Sequence, residues 1–98
     1  MFKKAIAITP EIKLRLVEGD KPEIVWKKSG TDGIEILVDR GTGTFAFLAI
    51  DTVPNYTGSF ALPAAGATAI WKYKAIYRLD DVHMGMWSDV VSITVTGV

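Results

Sequence analysis

The chain has 98 residues, with eleven Lys plus Arg against eleven Asp plus Glu, one His and no Cys, and 49% of it is hydrophobic. That length holds one domain with one modest core, and without cysteine there is no disulfide framework, thiolate zinc site or thiol nucleophile. A formal charge of zero removes the electrostatic case for binding nucleic acid or an anionic membrane, and it leaves copies of this apolar chain little mutual repulsion.

Met1 to Ile8 resembles the start of a signal peptide, but its apolar stretch stops at Thr9-Pro10-Glu11, short of an h-region of about 7–15 residues. Residues 1–9 are therefore expected as an N-terminal extension or edge strand of the mature chain. No run approaches the roughly 18–20 apolar residues of a membrane span. Ile12, Leu14 and Leu16 then alternate with Lys13 and Arg15 up to a break at Gly19-Asp20-Lys21-Pro22. Ile24 and Trp26 alternate with Glu23, Val25 and Lys27, and Ser29-Gly30-Thr31-Asp32-Gly33 makes the next turn. Ile34, Ile36 and Val38 alternate with Glu35, Leu37 and Asp39. A period of two places one set on a core face and the other toward solvent.

Phe45-Ala46-Phe47-Leu48-Ala49-Ile50 is different, because it is apolar on both faces. Burial on both faces belongs to parallel sheets, which a short chain without crossover helices cannot build. A loop or another subunit is expected to cover this segment. A weaker strand follows over Asn55–Leu62 and ends at Pro63. Next, Ala69, Trp71, Tyr73, Ala75 and Tyr77 share one face, with Lys72, Lys74 and Arg78 on the other beside Ile70 and Ile76. Large rings spaced by alanines suit a sandwich interior about 10 Å thick. Leu79–Met86 reads as a loop or hairpin tip, and Ser88–Thr96 as a last strand with Val91, Ile93 and Val95 facing one way. No segment carries a 3.6-residue repeat over ten residues, so no helix is expected. The expectation is a single all-β domain over residues 1–98, a seven-stranded antiparallel β-sandwich.

Trp26 on the second strand, the aromatic run Trp71-Lys72-Tyr73-Lys74-Ala75-Ile76-Tyr77-Arg78, and Trp87-Ser88 ahead of the final strand together resemble a fibronectin type III (immunoglobulin-like) domain over residues 10–97. In that likeness Trp26 stands for the buried tryptophan, residues 71–78 for strand F, and the closing segment for strand G. Two features depart from the family. Phe60-Ala61-Leu62-Pro63 is followed by alanines where the tyrosine corner has Pro-Gly, and Leu79–Met86 holds no Arg-Gly-Asp, so an integrin-binding role does not carry over. A one-domain chain of this kind looks like the small bacterial or phage proteins that reuse the sandwich. A shared fold implies no shared activity.

Candidate chemistry is sparse. Asp80, Asp81 and His83 crowd one loop, but near-adjacent residues do not converge three ligands on an ion unaided. Asp32, Glu35, Asp39 and Asp51 follow the solvent-facing alternation, whereas a glycosidase needs two carboxylates across a cleft. Arg40-Gly41-Thr42-Gly43-Thr44 precedes a strand rather than the helix of a phosphate-cradling loop, so it reads as a hairpin turn. Lys72, Lys74 and Arg78 read as a solvated face, paired across strands with Glu23 or Glu35, because Trp71, Tyr73 and Tyr77 point inward and cannot stack on bases. Asn55-Tyr56-Thr57 satisfies the N-glycosylation pattern, which matters only in a eukaryotic secretory setting. No catalytic set, cofactor or metal is expected. An enzyme would require a deep pocket lined by several of Asp80, Asp81, His83 and Arg78.

What remains is surplus apolar sequence in two places: Phe45, Phe47, Leu48 and Ile50 on the two-faced strand, and Val82, His83, Met84, Met86 and Trp87 around the hairpin tip. Exposed Met and Trp are typical of contact surfaces, although Trp87 also fits a fold-back onto the approach to strand G. These residues are the candidate interaction surface of a non-enzymatic protein-binding or assembly module that associates with a protein partner or with itself as a homo-oligomer. The second class is a carbohydrate-binding accessory module, which requires coplanar exposed rings and has Trp87, Tyr56 and Phe2 as candidates.

Overall fold

The computed structural model describes residues 9–58 and 61–97, so the expectations placed on residues 1–8, including Phe2, and on Phe60 lie outside the described residues. Among the described residues eight strands follow in chain order: β1 (Lys13–Val17), β2 (Lys21–Val25), β3 (Gly33–Asp39), β4 (Ala46–Asp51), β5 (Tyr56–Thr57), β6 (Thr68–Leu79), β7 (Val82–Met84) and β8 (Val91–Thr96). There is no helix among the described residues, and so none long and apolar enough to cross a membrane. Two antiparallel sheets form, one ordered β1-β2-β5 and the other β4-β3-β6, with β7 and β8 both pairing with β6.

The strand count corrects the expectation of seven. Val82–Met84, within the segment expected as a loop or hairpin tip, pairs with the end of β6 in register Tyr77↔Met84, Arg78↔His83 and Leu79↔Val82. A two-residue turn makes this possible, with Asp80 and Asp81 both at positive φ (54° and 64°), the backbone that matches strand twist in a tight hairpin. Asp32 Oδ2 accepts from the Asp80 amide at 2.8 Å and so holds that turn. Of the weak strand expected over Asn55–Leu62, Tyr56–Thr57 is in a strand and Asn55, Gly58, Ala61 and Leu62 are not, and the last strand begins at Val91 rather than Ser88.

The inner faces of both sheets share one core. Ile12, Ile24 and Trp26 meet Ile34, Ile36 and Val38 of β3, Trp71, Tyr73, Ala75 and Tyr77 of β6, and Val95 of β8. The period-two reading of β3 and β6 therefore places its inward rows correctly. Two polar contacts tie the sheets across this core: Trp26 Nε1 donates to Asp51 Oδ2 at 2.8 Å, and the Tyr77 hydroxyl donates to the Lys27 carbonyl at 3.0 Å.

Asp51 overturns the expectation that the carboxylates all follow the outward alternation, since it turns inward and accepts from Trp26 Nε1. Asp39, though on the outward row, does not reach solvent. It is buried, and its Oδ1 accepts from the amides of Gly41, Thr42 and Gly43 at 2.9, 2.9 and 3.1 Å. The Gly41 amide does most to hold this carboxyl below the ordinary carboxylate range. Burial opposes that shift, while the Gly43 and Thr42 amides and the nearby Lys72 charge reinforce it. The Arg40–Thr44 turn is thus wound around a carboxylate belonging to β3.

Candidate interaction surface

Paired residues in an antiparallel ladder point to the same side of the sheet. Ile34, Ile36 and Val38 face the core, so Glu35, Leu37 and Asp39 occupy the outer face of β3. The register Glu35↔Ile76, Leu37↔Lys74 and Gly33↔Arg78 puts Lys74, Ile76 and Arg78 beside them. On the other side, Leu37↔Phe47 and Glu35↔Ile50 put Phe47 and Ile50 on that outer face as well.

Phe47 and Ile50 are three apart in sequence and share a face because the register slips between Ile36 and Leu37. Such a bulge places one extra residue in the strand. The extra residue turns Leu48 and Ala49 together toward the core side, where Leu48 packs on the core cluster. Here lies the explanation of the two-faced apolar strand. β4 is an edge strand, covered on its inner side by the core, and its outer side leaves Phe47 61% and Ile50 46% exposed.

At the other flank, Ser88 fastens the segment between β7 and β8. Its amide donates to the Ala75 carbonyl at 2.7 Å, and its Oγ accepts from the Ala75 amide at 3.0 Å. That docking lays Trp87 back over the outer face, the fold-back weighed for it from sequence. The Lys74 ammonium sits between two rings, 4.7 Å from the Phe45 centroid and 5.2 Å from the Trp87 centroid, a cation–π arrangement. The His83 ring meets Trp87 edge-on at 5.5 Å. Glu35 Oε1 closes the group, accepting from Arg78 Nη1 at 3.0 Å and lying 2.9 Å from His83 Nε2. The cross-strand partner expected for Arg78 is therefore Glu35. Glu23 pairs instead with Arg15.

Phe45, Phe47, Ile50, His83 and Trp87, which the sequence places in two separate segments, thus lie on one outer sheet face. Leu48 and Met84 do not, because both pack against the core, Met84 opposite Tyr77. Val82 and Met86 are exposed near the hairpin end. Sequence reasoning left Glu35, Leu37 and Lys74, and also the exposed Ile70, out of the candidate surface. The alternation already assigned them outward, but only the β3–β6 register shows which of them touch.

The other constellations do not assemble. Trp87 lies on the five-stranded sheet and Tyr56 on the three-stranded one, where it packs on the core, so these two rings form no common platform. Among the described residues, no three His, Asp or Glu side chains gather as they would around an ion. Asp80, Asp81, His83 and Arg78 sit on the β6–β7 hairpin, away from the cleft of about 520 Å³ that opens over Trp71 between residues 38–47 and 61–69. Comparison with family models, with curated proteins and with solved structures gives no match.

Proposed function

We propose that this chain is a non-enzymatic binding and assembly module that associates with copies of itself, built on a sandwich of fibronectin type III kind. Strand order supports the fold reading. In the immunoglobulin-like plan, strands A, B and E share one sheet and C, F and G the other. Here β1, β2 and β5 share one sheet, and β3, β6 and β8 the other, with β4 added beside β3. Trp26 and Trp71 lie in the core, and Trp87-Ser88 leads into the last strand, as the resemblance implies.

The observation that carries the functional reading is the uncovered apolar row on β4. Phe47 and Ile50 stand in solvent on an edge strand, continuous with Leu37 and with the Phe45–Lys74–Trp87 stack. Contiguous apolar area of this kind marks contact surfaces. A neutral chain offers no long-range repulsion to oppose a second copy. Sedimentation equilibrium tests the reading. A mean mass that rises with concentration supports self-association, and a constant monomer mass at high concentration contradicts it.

A further inference from the structure

Edge strands invite pairing, and proteins usually blunt them with charge, proline or brevity. Among the described edges, two escape that rule, β8 and β4, and only β4 turns apolar side chains outward. β1 carries Lys13 and Arg15, and β5 and β7 are two and three residues long, whereas β8 has six residues with neither charge nor proline but exposes the polar row Ser92, Thr94 and Thr96. β4 has six residues, with no charge before Asp51 and no proline, and among the described residues it pairs only with β3.

A bulge often serves as protection too, but here it has the opposite consequence. In an unbulged strand of six residues, antiparallel pairing with an identical copy along the whole length would set inward side chains against outward ones, because faces alternate strictly. The slip at Leu48 removes that conflict. The faces of β4 run inward at Ala46, outward at Phe47, inward at Leu48 and Ala49, outward at Ile50 and inward at Asp51. That order is the same read from either end. A two-fold axis between Leu48 and Ala49 therefore matches every residue with one of the same facing.

We propose that β4 is a dimerisation edge that pairs antiparallel with β4 of a second copy, setting Phe47 opposite Ile50, Leu48 opposite Ala49 and Ala46 opposite Asp51. The contact is isologous, as a two-fold dimer requires, and joins two five-stranded sheets into one. Both outer-face pairs bring Phe47 against Ile50, which covers the two exposed apolar side chains of the strand. The single carboxylate of each strand meets an alanine, so no like charges are opposed. This inference rests on the self-association reading and adds to it the strand, the direction and the register.

The absence of cysteine makes the register directly testable. Opposed residues in an antiparallel pair have Cα atoms about 4.5–5.5 Å apart, within reach of a disulfide. Phe47→Cys and Ile50→Cys proteins are oxidised separately and as a mixture. Covalent dimer in the mixture, and its loss in either variant alone, is the expected result. Dimer from one variant alone places identical residues opposite each other and overturns the register. No cross-link in the mixture, while the wild type self-associates in sedimentation, overturns the inference and leaves the functional reading standing. A wild type that stays monomeric overturns both. The F47K/I50K protein gives a second check: both sites are exposed, so it is expected to keep the wild-type circular dichroism spectrum and to shift from dimer to monomer. A persistent dimer contradicts the β4 contact.

Discussion

The indole of Trp26 donates from Nε1 to Asp51 Oδ2 at 2.8 Å and thereby joins the end of β2 in one sheet to the end of β4 in the other. This bond anchors the strand on which the interaction surface depends. Trp26 is almost fully buried, and its backbone amide also donates to Asn55 Oδ1 at 3.2 Å, so the indole is aimed from both sides. Trp26→Phe keeps a ring in the core but removes the donor. A loss of about 1.5–3 kcal/mol is expected, the range for hydrogen bonds to charged groups. Urea unfolding of Trp26→Phe, Asp51→Ala and the double variant checks it. Purely additive losses would show that the two side chains do not interact.

Ser88 completes a pairing that backbone would otherwise make, since the Ala75 amide has the Ser88 hydroxyl as its acceptor. Ala75 is fully buried, so its amide cannot turn to water once the hydroxyl is removed. Ser88→Ala should cost roughly 1–3 kcal/mol and hasten hydrogen exchange at the Ala75 amide. Unchanged exchange there would mean that Ser88 does not hold this segment.

Burial pushes the Tyr73 phenol up to about 12, with the Arg40 charge opposing the shift and Tyr56 adding to it. A phenol whose pKa rises on folding contributes stability that is fully present below its unfolded value of 10.0 and fades as pH climbs toward 12. The wild type should therefore lose stability across that alkaline window relative to Tyr73→Phe. A stability difference between the two proteins that does not change from pH 10 to 12 would contradict the burial argument.

Asp39 works in the opposite sense. Its folded carboxyl is held below the ordinary value of 3.8, chiefly by the Gly41 amide, so its contribution is present above that value and fades as pH falls below it. Asp39→Asn should be less stable than the wild type at neutral pH, with the gap narrowing in acid. Urea midpoints measured over a pH series decide the matter. A gap that stays constant down to strongly acid pH removes the carboxylate from its assigned role.

Gly33 illustrates a constraint of another kind. A Cβ at this position would run into the Asp51 carbonyl, where β3 and β4 pass closely. Gly33→Ala is expected to cost about 1–3 kcal/mol, because backbone rather than a mobile side chain must give way. A wild-type thermal midpoint would show that the strands separate easily.

The inward rows of β3 and β6 were legible because strict alternation leaves one assignment for Ile34, Ile36 and Val38 and for Trp71, Tyr73, Ala75 and Tyr77. Val82–Met84 was not read as a strand, because its turn uses Asp80 and Asp81 at positive φ where a glycine would have signalled a hairpin. The bulge at Leu48 left no mark in the sequence, since an all-apolar run has no polar residue whose displacement would reveal it. Two-faced apolarity thus looked like burial on both sides, when it records an extra residue in an edge strand. Asp39 keeps the outward row that alternation assigns it, but its burial was not legible, because its partners are backbone amides of the following loop, and spacing alone cannot show those.

Amide hydrogen exchange at low and high protein concentration tests the central claim most directly. Self-association through the five-stranded sheet predicts that the Phe47–Ile50 amides slow as concentration rises, while the amides of the charged edge β1 exchange at an unchanged rate. Exchange that is independent of concentration along the whole chain would contradict it.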